Sequence, residues 1–214
     1  PSQLLQSLRS WLRVGQMISA GRLLCLWTCV LWAPLASAEL DPPSVYISCI
    51  SCHGERGEGN PVVPVPPIAG QHEVYLRAQL RAFRDGHRGA HPKDIWGRQM
   101  ALMATPLTDD DIDRLAHFIS QQPRWYKADQ QRPASDNNTL ACIGCHDSNA
   151  ESSAGTAPLL WGMPEAYLYR QLAHYRDGLR ANPVNGAPNP MSALISSDIA
   201  DSALRDYARF FAGF

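Results

Sequence analysis

Apolar side chains at Tyr75, Leu76, Leu80 and Phe83 fall at i, i+1, i+5 and i+8, which lays one apolar stripe along a helix. Tyr167, Leu168, Leu172 and Tyr175 repeat the stripe. Asp85-Gly86 and Asp177-Gly178 supply the stops, because glycine suits the left-handed residue that follows a helix. A second pattern begins at Thr108, with Thr108 as N-cap and Asp111 at N3, carries Ile112, Leu115, Phe118 and Ile119, and ends before Pro123. Its counterpart runs from Ala200 to Phe211 with Leu204, Tyr207, Phe210 and Phe211. Short helices are predicted around Tyr46–His53 and Thr139–His146. No strand-like alternation of any length occurs, so the pattern predicts an all-α chain.

These elements are two copies of one unit. Gly70, Glu73, Tyr75, Leu76, Gln79, Leu80, Arg84, Asp85, Gly86 and Arg88 recur 92 positions later as Gly162, Glu165, Tyr167, Leu168, Gln171, Leu172, Arg176, Asp177, Gly178 and Arg180. The expected division is 39–122 for the first domain, 123–137 for a polar linker and 138–214 for the second domain. Each copy has about 80 residues, close to the lower limit for a self-sufficient core. A large apolar prosthetic group would supply much of such an interior.

Residues 1–38 read as an export signal that is cleaved, with a retained N-terminal anchor as the alternative. Arg9, Arg13 and Arg22 precede an apolar run from Leu23 to Ala36, and Ala36-Ser37-Ala38 fits a small-x-small cleavage site. The run has about 14 residues, short of the roughly 20 that a membrane-spanning helix needs. All 20 acidic residues lie after residue 38, whereas 3 of the 19 basic ones lie before it, so the remainder carries a net charge of −4. That balance disfavours nucleic acid as a partner. Cys25 and Cys29 leave with the signal, and four cysteines remain.

Those four sit in Cys49-Ile50-Ser51-Cys52-His53 and Cys142-Ile143-Gly144-Cys145-His146. Cys-x-x-Cys-His is the attachment sequence of a c-type haem. The thiols form thioethers with the two vinyl groups, and the adjacent imidazole ligates the iron. A zinc site or a redox disulfide could use the same cysteine pair. The immediate histidine in both copies, the export signal and the paired downstream methionines favour two covalent haems c. No cysteine is left for a disulfide or a catalytic nucleophile.

A sixth iron ligand requires methionine or histidine downstream. Met100 lies 47 residues after His53 and Met191 lies 45 after His146; Met103 would give 50. Met100 is favoured over Met103, and a loop is expected between it and Leu107-Thr108. Met163 aligns with Gln71, so its place in the repeat argues against it as a ligand. His72, His87, His91, His117 and His174 have no repeat counterparts and read as surface or satisfied core histidines. Pro66 and Pro158 both occur as Pro-x-aliphatic-x-Gly. A backbone carbonyl there could accept the proximal imidazole N–H and raise its basicity; the same prolines would also make rigid turns before a helix.

Taken together, these residues resemble a tandem class I cytochrome c and are most similar to the two-haem cytochrome c4 family. The resemblance covers nearly all of 39–214. It implies two helical haem domains facing each other, each iron ligated by histidine and methionine, in a periplasmic carrier of single electrons toward a terminal oxidase. Three departures stand out: the segment before Cys49 is short and lacks the family's glycine–aromatic pairing, Asp147 stands where the first copy has Gly54, and the segment after Met191 lacks a clean N-cap like Thr108. The partners implied are redox proteins, namely an oxidase, a quinol-oxidising complex or a dehydrogenase, with peripheral membrane association as an added option. The alternatives are an electron-accepting subunit of a periplasmic dehydrogenase and a dihaem enzyme, either a peroxidase or a thiosulfate-oxidising cytochrome. The enzyme would need an open iron or a spare cysteine, and the sequence pairs each histidine with a methionine.

Overall fold

A computed structural model describes residues 41–60, 62–124, 137–146, 155–180 and 189–212. The expected export segment, most of the linker and Asp147 lie outside the described residues. Helices and turns account for the regular structure, with no strand among the described residues.

The first copy begins with a 3₁₀ turn at Ser44–Tyr46, which runs into α1, Ile47–His53. It continues with α2 (Glu73–Arg84), α3 (Ile95–Ala104) and α4 (Asp109–Ser120). The second copy has α5 (Asn137–His146), α6 (Glu165–Arg176), α7 (Pro190–Leu194) and α8 (Asp201–Ala212). The middle and last helices of each copy match the periodicity. The capping box on α4 is formed: Asp111 N–H donates to Thr108 Oγ1 at 3.1 Å, and Thr108 N–H donates to Asp111 Oδ2 at 3.1 Å. Asp109, Asp110 and Asp111 also place negative charge at the positive end of the helix dipole.

Two cores form. Tyr46, Leu76, Leu80, Ile112, Leu115, Phe118 and Ile119 close one, with Cys49, Ile68 and Met100 packed at its border. Trp161, Met163, Tyr167, Leu168, Phe210 and Phe211 close the other. Each fully buried large apolar side chain is worth about 1.5–3 kcal/mol.

The repeated Arg-Asp-Gly has a mechanical role. Arg84 Nε donates to Asp85 at 2.8 Å, and its Nη1 reaches Asp109 at 2.8 Å. Arg176 does the same with Asp177 and Asp201. Each arginine therefore ties the end of a middle helix to the start of a last helix, while the following glycine turns the chain at φ +74° (Gly86) or +71° (Gly178).

One expectation is corrected. Met100 sits on α3, where a loop was predicted; Asp94 caps that helix by accepting from Gly97 N–H at 2.8 Å. Ahead of Cys49 the Tyr46 ring meets Phe118 edge-on, with centroids 4.9 Å apart. The Tyr46 hydroxyl donates to Gly54 O at 2.9 Å, which anchors the short entry segment to the residue after the haem motif.

Candidate haem sites

In the first copy, α1 places Cys49, Cys52 and His53 on one wall of a cavity of about 220 Å³. The other walls include Pro66, Leu76, Leu80, Phe83, Met100 and Met103. The structure thus gathers every residue predicted for the first site, and both candidate methionines with them. They differ in setting: Met100 is half-buried against the first core, whereas Met103 is 42% exposed. Both cysteines are unpaired thiols, and burial pushes the Cys49 thiol up from its ordinary value.

His53 is buried at the end of α1, and its Nδ1 lies 2.9 Å from Pro66 O. A carbonyl can only accept, so Nδ1 carries the proton and donates, leaving Nε2 as the lone-pair nitrogen. Burial holds the imidazole below its usual pKa, with the Pro66 bond pulling the other way. A neutral, oriented imidazole is the form that binds a metal.

The second copy repeats this. His146 Nδ1 lies 2.7 Å from Pro158 O, and burial again lowers its pKa. Cys142 packs at the border of the second core. Met191 is half-buried on α7, whose first turn is capped by Asn189 Oδ1 accepting from Met191 N–H at 3.1 Å. Segments 147–154 and 181–188, which flank this site, lie outside the described residues.

Sequence reasoning missed how the copies meet. Arg88 and Arg180 cross at a polar seam with Gln79 and Gln171. Arg88 also stacks over Phe83 at 4.4 Å and Arg180 over Tyr175 at 4.7 Å. Arg170 joins them, donating to Pro64 O at 2.6 Å while its buried Nε lacks a partner. Asp94 is the one buried carboxylate among the described residues. It faces His174 Nδ1 at 3.6 Å, so His174 is a buried histidine of the seam. Three guanidinium groups against one carboxylate leave the seam short of negative charge. An anionic group such as a haem propionate would fit that deficit. The signal was available, because Gln79, Arg88, Gln171 and Arg180 all belong to the repeat.

Met163 is buried in the second core. His117 is exposed and pairs with Glu73 at 3.2 Å. Among the described residues no helix is long and apolar enough to cross a membrane.

Comparison with known proteins agrees with this geometry. A family model for cytochrome c matches residues 44–123. The chain is 30% identical over 213 residues to a thiosulfate dehydrogenase electron acceptor from Thiomonas intermedia, covering 92% of this chain and 93% of that one. It is 35% identical over 162 residues to cytochrome c4 of Thiocapsa roseopersicina, covering 69% and 79%. Among solved structures, Acidithiobacillus ferrooxidans cytochrome c4 superposes with a TM-score of 0.60 at 27% identity, covering 78% of this chain and 99% of that one. Reduced cytochrome c4 from Pseudomonas stutzeri gives 0.58 at 26% identity, covering 79% and 94%. Two haem-attachment motifs on paired helical cores, with similarity running through both copies, place the chain in the cytochrome c4 family, as a dihaem electron-transfer protein carrying two covalent haems c.

Proposed function

We propose that this is an exported, periplasmic carrier that accepts single electrons from one redox protein and delivers them to another, with His53 and Met100 as axial ligands in the first domain and His146 and Met191 in the second. A covalently held haem supplies one-electron chemistry at its iron. The chain's part is to fix the ligands and shield the site. Pro66 and Pro158 orient the two imidazoles through their carbonyls. Met100 lies across the cavity wall from the α1 motif, on a helix whose start is held by Asp94. Thioether donation favours the reduced metal and raises the potential. Filled axial positions leave no coordination site for a substrate, which suits transfer over catalysis.

The observation that carries this reading is the matched pair of histidine–proline bonds, one per motif, each leaving Nε2 for a metal. The test is spectroscopic. Met100→Ala is expected to abolish the near-infrared methionine–iron charge-transfer band of one haem, and Met191→Ala that of the other. Retention of both bands in either variant rejects the assignment, and loss in Met103→Ala in place of Met100→Ala transfers it to Met103.

A second reading keeps the same centres and narrows the partner. The similarity to a dehydrogenase electron acceptor runs over 92% of the chain, which favours a donor that is a periplasmic dehydrogenase. Rapid reduction of the purified protein by a thiosulfate-oxidising enzyme and its substrate supports that reading; rapid oxidation by oxidase-containing membranes supports delivery to a terminal oxidase.

A further inference from the structure

Each copy's histidine is set by a proline carbonyl, and the residue after that proline differs between the two copies. In the first, the segment after Pro66 is fastened from within: Ile68 and Ala69 N–H donate to Gly57 O at 2.7 and 2.9 Å. Position 67 is itself proline and has no N–H to satisfy. In the second copy the matching residue is Leu159, which does have one. Its partner comes from the other copy. Leu159 N–H donates to Gln71 Oε1 at 2.8 Å, and Gln71 Nε2 donates to Leu159 O at 3.1 Å. The Gln71 side chain is 5% exposed, so this two-way amide pair is shielded from competing water.

The two copies differ at both members of the pair in a complementary way. The residue of the second copy that aligns with Gln71 is Met163, which has no amide to offer. The copy with a free N–H meets a glutamine, and the copy with a prolyl nitrogen is matched in the repeat by a methionine. A generic seam contact would have no reason to follow that rule.

We propose that Gln71, on the first domain, is a positioning residue for the second haem. By holding both backbone groups of Leu159, it fixes the Pro158 peptide and keeps the Pro158 carbonyl aligned on His146 Nδ1 at 2.7 Å. A well-aligned acceptor raises the basicity of the imidazole and favours the oxidised metal. The amide is uncharged, so its effect on the second centre acts through geometry alone. The inference rests on the axial assignment of His146 proposed above.

The experiment uses the full-length holoprotein and Gln71→Met, which copies the residue of the second repeat and conserves volume. Both midpoint potentials are followed site by site through the haem methyl resonances. Exchange of the His53 and His146 Nδ1–H protons is read by NMR in the fully reduced protein. The expected result is a rise in the second potential and several-fold faster exchange at His146, with the first potential and His53 unchanged. Equal changes at both sites, or none at either, overturn the proposal. Should Gln71→Met not accumulate with two haems, Leu159→Pro removes the same bond from the other end and recreates the Pro-Pro of the first copy; the same outcomes decide. Failure of the axial assignment is separately visible: His146→Gly would then keep the low-spin spectrum of the second haem.

Discussion

Arg88 and Arg180 hold the same two acceptors in exchanged roles. Arg88 donates to Gln79 Oε1 in its own copy at 2.6 Å and to Gln171 Oε1 across the seam at 3.1 Å. Arg180 donates to Gln171 at 2.8 Å and to Gln79 at 3.2 Å. The Tyr75 hydroxyl bonds to both guanidinium groups. Arg180→Met therefore strips three charge-assisted bonds, to Gln171, Gln79 and Tyr75, from a buried site and leaves glutamine oxygens under-satisfied. The expected cost is about 2–3 kcal/mol, read as a lower denaturant midpoint for the holoprotein.

Gly89 and Gly86 both adopt positive φ, at +75° and +74°, but only one is crowded. A Cβ on Gly86 meets nothing, so Gly86→Ala should cost about 1–2 kcal/mol, the left-handed backbone penalty alone. A Cβ on Gly89 overlaps the Gly97 carbonyl in the first turn of α3. Gly89→Ala must displace the helix that carries Met100, and it is expected to destabilise more than Gly86→Ala and to perturb the methionine band of the first haem. Thermal unfolding and near-infrared spectra of the two variants, side by side, check this.

His174 introduces a pH dependence. Burial lowers its pKa from the ordinary 6.5; Asp94 opposes this, and Arg170, Arg180 and Arg88 reinforce it. The unfolded chain then binds more protons than the folded one between the two values. The stability contributed by neutral His174 is fully present above the unfolded value and declines as pH falls from about 6.5 toward the folded value. His174→Gln should flatten that slope in urea unfolding of the holoprotein. A slope unchanged by the substitution would assign it elsewhere.

Tyr46 is fully buried and uses its hydroxyl on Gly54 O. Tyr46→Phe keeps the ring against Phe118 and removes one hydrogen bond. A loss of about 1 kcal/mol is expected, the usual net worth of such a bond, with both haem spectra preserved.

The parts of the fold legible in the sequence were those with a local signature. Helices α2, α4 and α6 combine one apolar face with a cap or a glycine stop, and α8 carries an apolar face. The histidine–proline contacts were legible because the Pro-x-aliphatic-x-Gly pattern occurs twice. Helix α3 was not: its run Ile-Trp-Gly-Arg-Gln-Met-Ala-Leu-Met-Ala buries only Gly97 and Ala104 and exposes Ile95, Leu102 and Met103, so no clean face announces it. Part of the seam was illegible for another reason. Gln71–Leu159 and Asp94–His174 join residues some eighty positions apart or more, and a single sequence carries no periodic trace of such pairs. His174 stands where the first copy has Ala82, so even the repeat was silent there.

The Gln71–Leu159 pair gives the duplication a polarity. Two first copies joined in tandem would set a glutamine amide against Pro67, which has no N–H to receive it. Two second copies would set Met163 against Leu159 and strand both of its backbone groups. The mixed pairing satisfies both backbone groups of Leu159, so the halves act as unlike partners carried on one polypeptide. Any exchange of halves between molecules would have to join a first copy to a second.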